Sequence, residues 1–304
     1  MSDLDAVVGG NANCDVQRVV GIIPFRRWTV VVPRIPGYVH VAALQELVDA
    51  VFYGLRQLEQ NVSLGNPHDA VPGNAILIGA HLLSAEACAR VPDSAIVYNS
   101  EHASSDWMNS HYRALLGRVV VWDYSFDNTR MLEGLLGRQV AYVPLGYVPQ
   151  FTRITAVATE DIDVLFCGSY AARRGVIFDS IRSRGLRFHH AFGVYGAERD
   201  ALMTRAKIVL NVHAHEPGAF EIVRVSYQLA NRKAVVSEVN PGERIDTDLD
   251  GAFVAAAYED IVTKVVELAK DRPAREAIGL AGYRKFSSRD QAAILRRALG
   301  DRIA

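Results

Sequence analysis

The stretch from Lys207 to Glu238, KIVLNVHAHEPGAFEIVRVSYQLANRKAVVSE, constrains the fold more than any other part of this chain. Ile208 to Val212 is an apolar run that reads as a buried strand, and His213 to Gly218 is a polar loop ending in a Pro-Gly turn pair. Apolar residues at helical spacing predict a helix from about Phe220 to Asn231, and Ala234 to Val236 a second buried strand. Strand, loop, helix and strand make a βαβ unit. Its right-handed crossover puts the loop at the carboxyl end of a parallel strand, where open α/β sheets bind ligands. The free N–H groups and positive dipole end of the helix suit a phosphate there. His213, His215, Glu216 and Glu221 crowd into the loop and first turn, more polar chemistry than a plain connection needs.

The same alternation runs along the rest of the chain. Trp28 to Val32 reads as a strand, Arg34 to Gly37 as a turn, and Ala42 to Leu58 as a helix, with Leu44, Leu47, Val48, Val51 and Leu55 on one face. Ala75 to Ile78, Ala95 to Tyr98, Val119 to Trp122 and Val140 to Val143 follow as strands, separated by helices over Ala85 to Ala89, Asn109 to Leu116 and Phe126 to Leu136. Pro144 to Thr159 breaks the rhythm with Pro144, Gly146 and Pro149, and the domain linker is placed there. Alternation then resumes: strand Val164 to Cys167, helix Ala171 to Arg184, strand Arg187 to Phe192, helix Glu198 to Arg205. The Lys207 to Glu238 unit, a strand at Phe253 to Ala256 and helices from Glu259 complete the chain. The expected fold class is α/β: two Rossmann-like domains with parallel sheets, residues 19–150 and 151–304, after a disordered tail over residues 1–18.

A length of 304 residues accommodates two such domains. Lys plus Arg (33) nearly cancels Asp plus Glu (34), so no global positive field recruits nucleic acid. The acidic, Gly/Asn-rich start is unlike a signal peptide, and no apolar run reaches the ~20 residues that span a bilayer. Of the three cysteines, Cys14, Cys88 and Cys167, the last two lie in apolar surroundings and are expected to be buried thiols in a reducing cytoplasm.

Candidate chemistry sits at the strand ends. Gly168-Ser169-Tyr170 follows a strand and precedes Arg173-Arg174 at a helix start, where glycine admits close approach and arginine adds bidentate donors to a phosphate. A β-turn followed by a solvated basic helix face would read the same way. In the following unit, Glu221, Arg224, Gln228 and Asn231 form a polar stripe at helical spacing. His213 and His215 alternate on a strand end and face opposite ways, so one is expected to satisfy backbone groups and the other to face a ligand. In the first half, Asn99-Ser100-Glu101-His102 and Asp123-Tyr124-Ser125 both end strands. Glu101 and His102 are the first choices for a general base and Asp123 the second; capping by Ser125 with Asn128 nearby is the competing reading. Asp161-Ile162-Asp163 and Asp246-Thr247-Asp248 have the spacing of a metal-binding D-x-D pair, but the first precedes its strand and the second lies in a polar loop. Both are expected to be solvated turns, with no metal bound.

The segment LNVHAHEPGAFEIVRVSYQLANRKAVVSE resembles the donor-binding stretch of glycosyltransferases with the GT-B fold, and most closely the bacterial branch of spore-maturation-like and uncharacterised glycosyltransferases. DVLFCGSYAARR at Asp163 to Arg174, NSEH at Asn99 to His102 and VPLGYVP at Val143 to Pro149 support the likeness. It implies a nucleotide-diphosphate sugar as co-substrate, no cofactor, and an acceptor hydroxyl on a glycan, lipid-linked glycan, small molecule or protein. Gly168, Ser169, Arg173, Arg174, His215, Gly218, Phe220, Glu221 and Arg224 would then bind the donor in the second domain. Glu101, His102 and Glu216 would be catalytic, with the acceptor on the side of the first domain. One departure stands out: many retaining members carry a second glutamate that grips the nucleotide ribose, and alignment puts Tyr227 at its place. A nucleotide-sugar epimerase or hydrolase of the same fold, and a non-catalytic nucleotide-sugar-binding protein, are the alternatives.

Overall fold

The computed structural model describes residues 27–67, 71–155, 157, 159–215 and 220–303. The expected tail at 1–18 lies outside them, as do Glu216 and Gly218. The first sheet is built from β1 (Arg27–Val31), β2 (Asn61–Gly65), β3 (Ala75–Ile78), β4 (Ile96–Asn99), β5 (Val120–Asp123) and β6 (Ala141–Tyr142), in the order β2-β1-β3-β4-β5-β6 with every pairing parallel. Its connections are α1 (Gln45–Gln57), α2 (Ala85–Arg90), α3 (Ser110–Leu116) and α4 (Phe126–Leu136). The side chains of Ser84, Asn109 and Ser125 cap the last three by accepting a backbone N–H.

The second sheet contains β7 (Ile162–Cys167), β8 (Phe188–Ala191), β9 (Ala206–Asn211), β10 (Ala234–Glu238) and β11 (Val254–Ala256), in the order β11-β10-β9-β7-β8, again all parallel. Around it lie α5 (Ala172–Ser183), α6 (Gly196–Arg205), α7 (Ile222–Ala230), α8 (Ile261–Lys270) and α9 (Arg272–Ser287), and the last helix, α10 (Gln291–Leu299), returns to α1 of the first half. Within each half the winding reverses after the first strand, between β1 and β3 and between β7 and β9. Such switch points open a crevice at the carboxyl ends of the strands.

The chain crosses between the sheets after β6 and comes back with α10. The Tyr147 N–H donates to the Arg289 carbonyl at 2.6 Å, and the Gly146 N–H to the Gln291 side chain at 2.6 Å. Gly146 is obligatory at this crossing, because a Cβ there would stand 2.7 Å from the Arg289 carbonyl oxygen. On α1, Gly54 leaves room for Gln291 and Leu295 of α10. One apolar cluster therefore runs from Trp28 and Leu47 through Val148 and Phe151 to Val225 and Phe286, joining the halves along the back of the cleft. Among the described residues no helix is long and apolar enough to cross a membrane.

Candidate active site

The strand-end loops of the two sheets face each other across a cleft of about 870 Å³. It brings together Glu101 and His102 from the first half with Gly168, Ser169, His215, Phe220, Glu221 and Arg224 from the second.

The wall from the first half hangs on a buried carboxylate. Asp123, at the end of β5, accepts hydrogen bonds from the side chains of Asn99 (2.6 Å) and Asn128 (2.7 Å) and from the Ser125 N–H (2.7 Å). Both amides also donate to the Glu101 carbonyl, at 2.6 and 2.9 Å, so Asp123 shapes the loop that carries Glu101 and is itself shut off from the cleft. Burial raises the Asp123 carboxyl to about 6 against those three donors. Glu101 does line the cleft. Its carboxylate is held by the Ser105 hydroxyl at 3.1 Å and by His81 Nε2 at 3.2 Å, and burial pushes its pKa up to about 7 against the Ser105 hydrogen bond. His81 is only 7% exposed and burial drops its pKa to about 4, so it meets Glu101 as a neutral N–H donor. Sequence reasoning missed His81. Its one signal was its place in a strand-end turn after β3, where Gly79 has φ +78°. His102 Nδ1 lies 2.7 Å from the Ser104 hydroxyl and 3.3 Å from the Ser104 N–H, which fixes the ring against its own loop.

The opposite wall is the β7/β9 switch point. Arg224, on the first turn of α7, donates to Asn211 at 3.0 Å, lies 3.3 Å from Glu221, and keeps its side chain partly open to the cleft. Gly168 lets it approach: a Cβ there would stand 3.0 Å from the Phe166 ring and 3.4 Å from the Arg224 guanidinium. His213 is buried rather than held by backbone groups, with Nδ1 3.7 Å from Glu221 and Nε2 3.1 Å from Glu243. Burial alone would lower its pKa, but the two carboxylates outweigh burial and hold it at about 10. Burial would likewise raise Glu221, yet Arg224, His213 and Arg174 together hold it at about 2. The wall is thus a fixed array of three cations, Arg174, His213 and Arg224, around the Glu221 carboxylate.

Arg173 and Arg174 stand behind this wall. Arg173 makes two hydrogen bonds to buried Glu238, at 2.7 and 2.5 Å, beneath the Tyr258 ring. Arg174, 2% exposed, donates to the Val212 carbonyl at 2.8 Å, to Ser169 at 3.0 Å and to Glu221 at 3.0 Å. The arginine that opens into the cleft beside Gly168 is Arg224. The stripe on α7 divides the same way. Its start faces the cleft, whereas Asn231 accepts the Arg153 and Ile154 N–H groups, at 2.8 Å each, and pins the crossing segment.

No family model matches the sequence. Among curated proteins the chain is 25% identical over 182 residues to the uncharacterized protein L138 of Acanthamoeba polyphaga mimivirus, covering 58% of this chain and 20% of that protein. It is 24% identical over 189 residues to protein L137 of the same virus, covering 59% and 25%. The chain therefore spans about a quarter or less of these relatives' length. Among solved structures, Anabaena HepE in complex with UDP and glucose superposes with a TM-score of 0.58 at 11% identity, over 91% of this chain and 99% of that one. A glycosyltransferase from Rickettsia africae gives 0.55 at 10%, covering 92% and 98%. AviGT4, a glycosyltransferase involved in avilamycin A biosynthesis, gives 0.51 at 17%, covering 90% and 96%. The chain has the GT-B glycosyltransferase fold.

Two further features bear on the sequence reading. Tyr227 is 2% exposed; its hydroxyl donates to Asp200 at 2.7 Å and accepts from Arg153 at 3.2 Å, and its ring carries Arg199 at 4.0 Å. It braces the base of the cleft and leaves no carboxylate at that position. The two D-x-D pairs are ion-paired rather than simply solvated: Asp161 with Arg205, Asp163 with Arg187 and Lys207, and Asp246 and Asp248 both with Arg289. Cys88 is a buried free thiol, and Cys167 lies half-buried at the cleft with burial raising its pKa to about 11.

Proposed function

We propose that this chain is a glycosyltransferase that moves a sugar from a nucleotide-diphosphate donor to an acceptor hydroxyl, without a metal ion. The observation that carries the reading is the pairing, across one cleft, of a cationic switch-point wall with a carboxyl group whose pKa stands near 7. Neighbours of the same fold hold UDP or UDP-glucose.

In this reading the donor lies on the second half. Gly168, Ser169 and Phe220 admit it, Arg224 meets the diphosphate, and His215 and Glu221 stand beside the sugar; Glu216, a catalytic candidate, and Gly218, a donor-binding one, belong to the same stretch of sequence. Arg174 acts through Ser169 and Glu221, which it holds in place. The acceptor oxygen forms a bond to the anomeric carbon as the bond from that carbon to the diphosphate oxygen breaks, its electron pair leaving on the diphosphate. Arg224 and the start of α7 stabilise that charge. The hydroxyl proton passes to Glu101 if the configuration inverts, or to the departing phosphate if it is retained. Glu101, which lines the cleft with its pKa raised to about 7 by burial, is the base in this reading, with His102 beside it on the same loop. An epimerase would turn over the donor with no acceptor present.

The test is a thermal-shift screen with UDP-, GDP-, CMP- and dTDP-sugars, followed by assay of nucleotide release with EDTA present. A shift with one nucleotide class and EDTA-resistant release support the proposal. No shift with any of the four, or activity that returns only with Mn²⁺ or Mg²⁺, refutes it.

A further inference from the structure

A second compartment of about 340 Å³ branches from the main cleft, and both volumes fall in the ordinary range of small-molecule sites. The two compartments share His102, Tyr124, Ser125, Asn128 and Phe220, so they meet where the reacting groups of the proposed transfer would stand. Along the carboxyl edge of the second sheet the strands run β8, β7, β9, β10. The main cleft takes the loops after β8, β7 and β9; the branch takes the loop after β10, at 240–246, and faces α4 of the first half. A donor laid over the switch point therefore leaves the branch free on the far side of the junction.

We infer that this branch is the acceptor subsite and that it takes an uncharged sugar ring. The inference rests on the transferase reading above and names its acceptor. The walls are apolar and aromatic: Phe126, Tyr142 and Phe220 with Met131, Ile245 and Leu249. The Arg244 guanidinium lies 4.0 Å from the Phe126 ring centre, and the Tyr142 ring meets Phe126 edge-on at 5.8 Å. Aromatic faces accept the C–H side of a pyranose, and the rim supplies polar groups at Asp127, Asn128 and Arg244 for its hydroxyls.

Charge argues against an ionic acceptor group. Glu243 is matched by protonated His213 at 3.1 Å. Asp246 is matched by Arg289 at 2.9 Å and accepts the Tyr142 hydroxyl at 2.6 Å. Arg244 and Asp127 then balance each other across the rim. A phosphate would find one cation, Arg244, among three carboxylates, and an ammonium group would find two of the three, Glu243 and Asp246, already engaged.

The test uses saturation-transfer NMR with methyl α-D-glucopyranoside, methyl α-D-mannopyranoside and methyl α-D-galactopyranoside, in the presence of saturating UDP. Met131 lies on the exposed side of α4, so Met131→Trp fills the branch without touching the core. Arg244→Ala removes a rim group as a second variant. The expected result is ring-proton saturation for at least one hexoside, reduced at least fivefold by Met131→Trp and at least twofold by Arg244→Ala, with UDP affinity changed less than twofold. No saturation of any of the three overturns the inference, as does saturation that Met131→Trp leaves undiminished, which would put the hexoside in the main cleft. Calorimetric titration of UDP into the same preparations reads its affinity, and failure of all four nucleotide classes to bind in the thermal-shift screen would instead strike the transferase reading.

Discussion

Glu46 of α1 and Arg199 of α6 meet 2.9 Å apart across the base of the cleft, with the arginine lying flat on Tyr227. Both side chains are nearly excluded from water, and among the described residues Arg199 has Asp200, at 3.2 Å, as a further carboxylate. Burial would lower the Arg199 pKa, but Glu46, Tyr227 and Asp200 outweigh it and raise it. Glu46→Ala strands much of that charge, so urea unfolding should show a loss of about 3 kcal/mol. A loss below about 1 kcal/mol, the range of surface pairs, would mean the two halves are not held together here.

Arg224 and Arg173 of the second half should fail differently. Arg224→Ala is expected to keep the melting temperature and weaken nucleoside diphosphate binding about ten- to a hundred-fold, the loss of one charge-assisted phosphate contact. Arg173→Ala leaves Glu238 buried without its bidentate partner and should lower the melting temperature. Calorimetry and thermal melts on the same preparations separate these effects. Equal loss of affinity without destabilisation in both variants would return Arg173 to the phosphate.

The central strands of both sheets were legible because strands buried on both faces write themselves as apolar runs, Ile208 to Leu210 being the plainest. β2 was not, because NVSLG pairs only with β1 at the sheet edge and stays largely exposed, so neither an apolar run nor strict alternation marks it. Nor was the return of α10 onto α1, which depends on Gly54 and Gly146 clearing space for residues far along the chain. At the site, residue types placed Glu101 on a strand-end loop and Glu221 and Arg224 at the start of the helix that follows one. Spacing alone could not show that Arg173 and Arg174 turn inward, or that His81 reaches Glu101 from another strand end.

Glu101 as a base makes a pH prediction. Its carboxyl is protonated below about 7, so kcat should fall as pH drops through that value with the slope of one proton. Glu101→Gln should lower kcat by ~10²–10⁴ and leave donor affinity within about threefold. A retained anomeric configuration, read by NMR of the product, predicts a much smaller loss because the departing phosphate then takes the proton.

His213 makes another, on stability. Its folded pKa of about 10 exceeds the unfolded value of 6.5, so its contribution is complete below pH 6.5 and is lost as pH rises through about 10. Melting temperature should therefore fall between pH 7 and 10, and His213→Gln should flatten that fall. An unchanged slope would mean that Glu221 and Glu243 do not hold the imidazole charged.

The division of labour across the cleft is tested most directly by calorimetric titration of nucleoside diphosphates into Glu221→Ala, Arg224→Ala and Glu101→Ala, alongside the unaltered chain. One nucleotide class should saturate a single site in the unaltered chain and in Glu101→Ala with similar affinity. The two second-half variants should bind it at least about ten-fold more weakly. Binding that survives in those two and disappears in Glu101→Ala would contradict the placement of the donor on the second half.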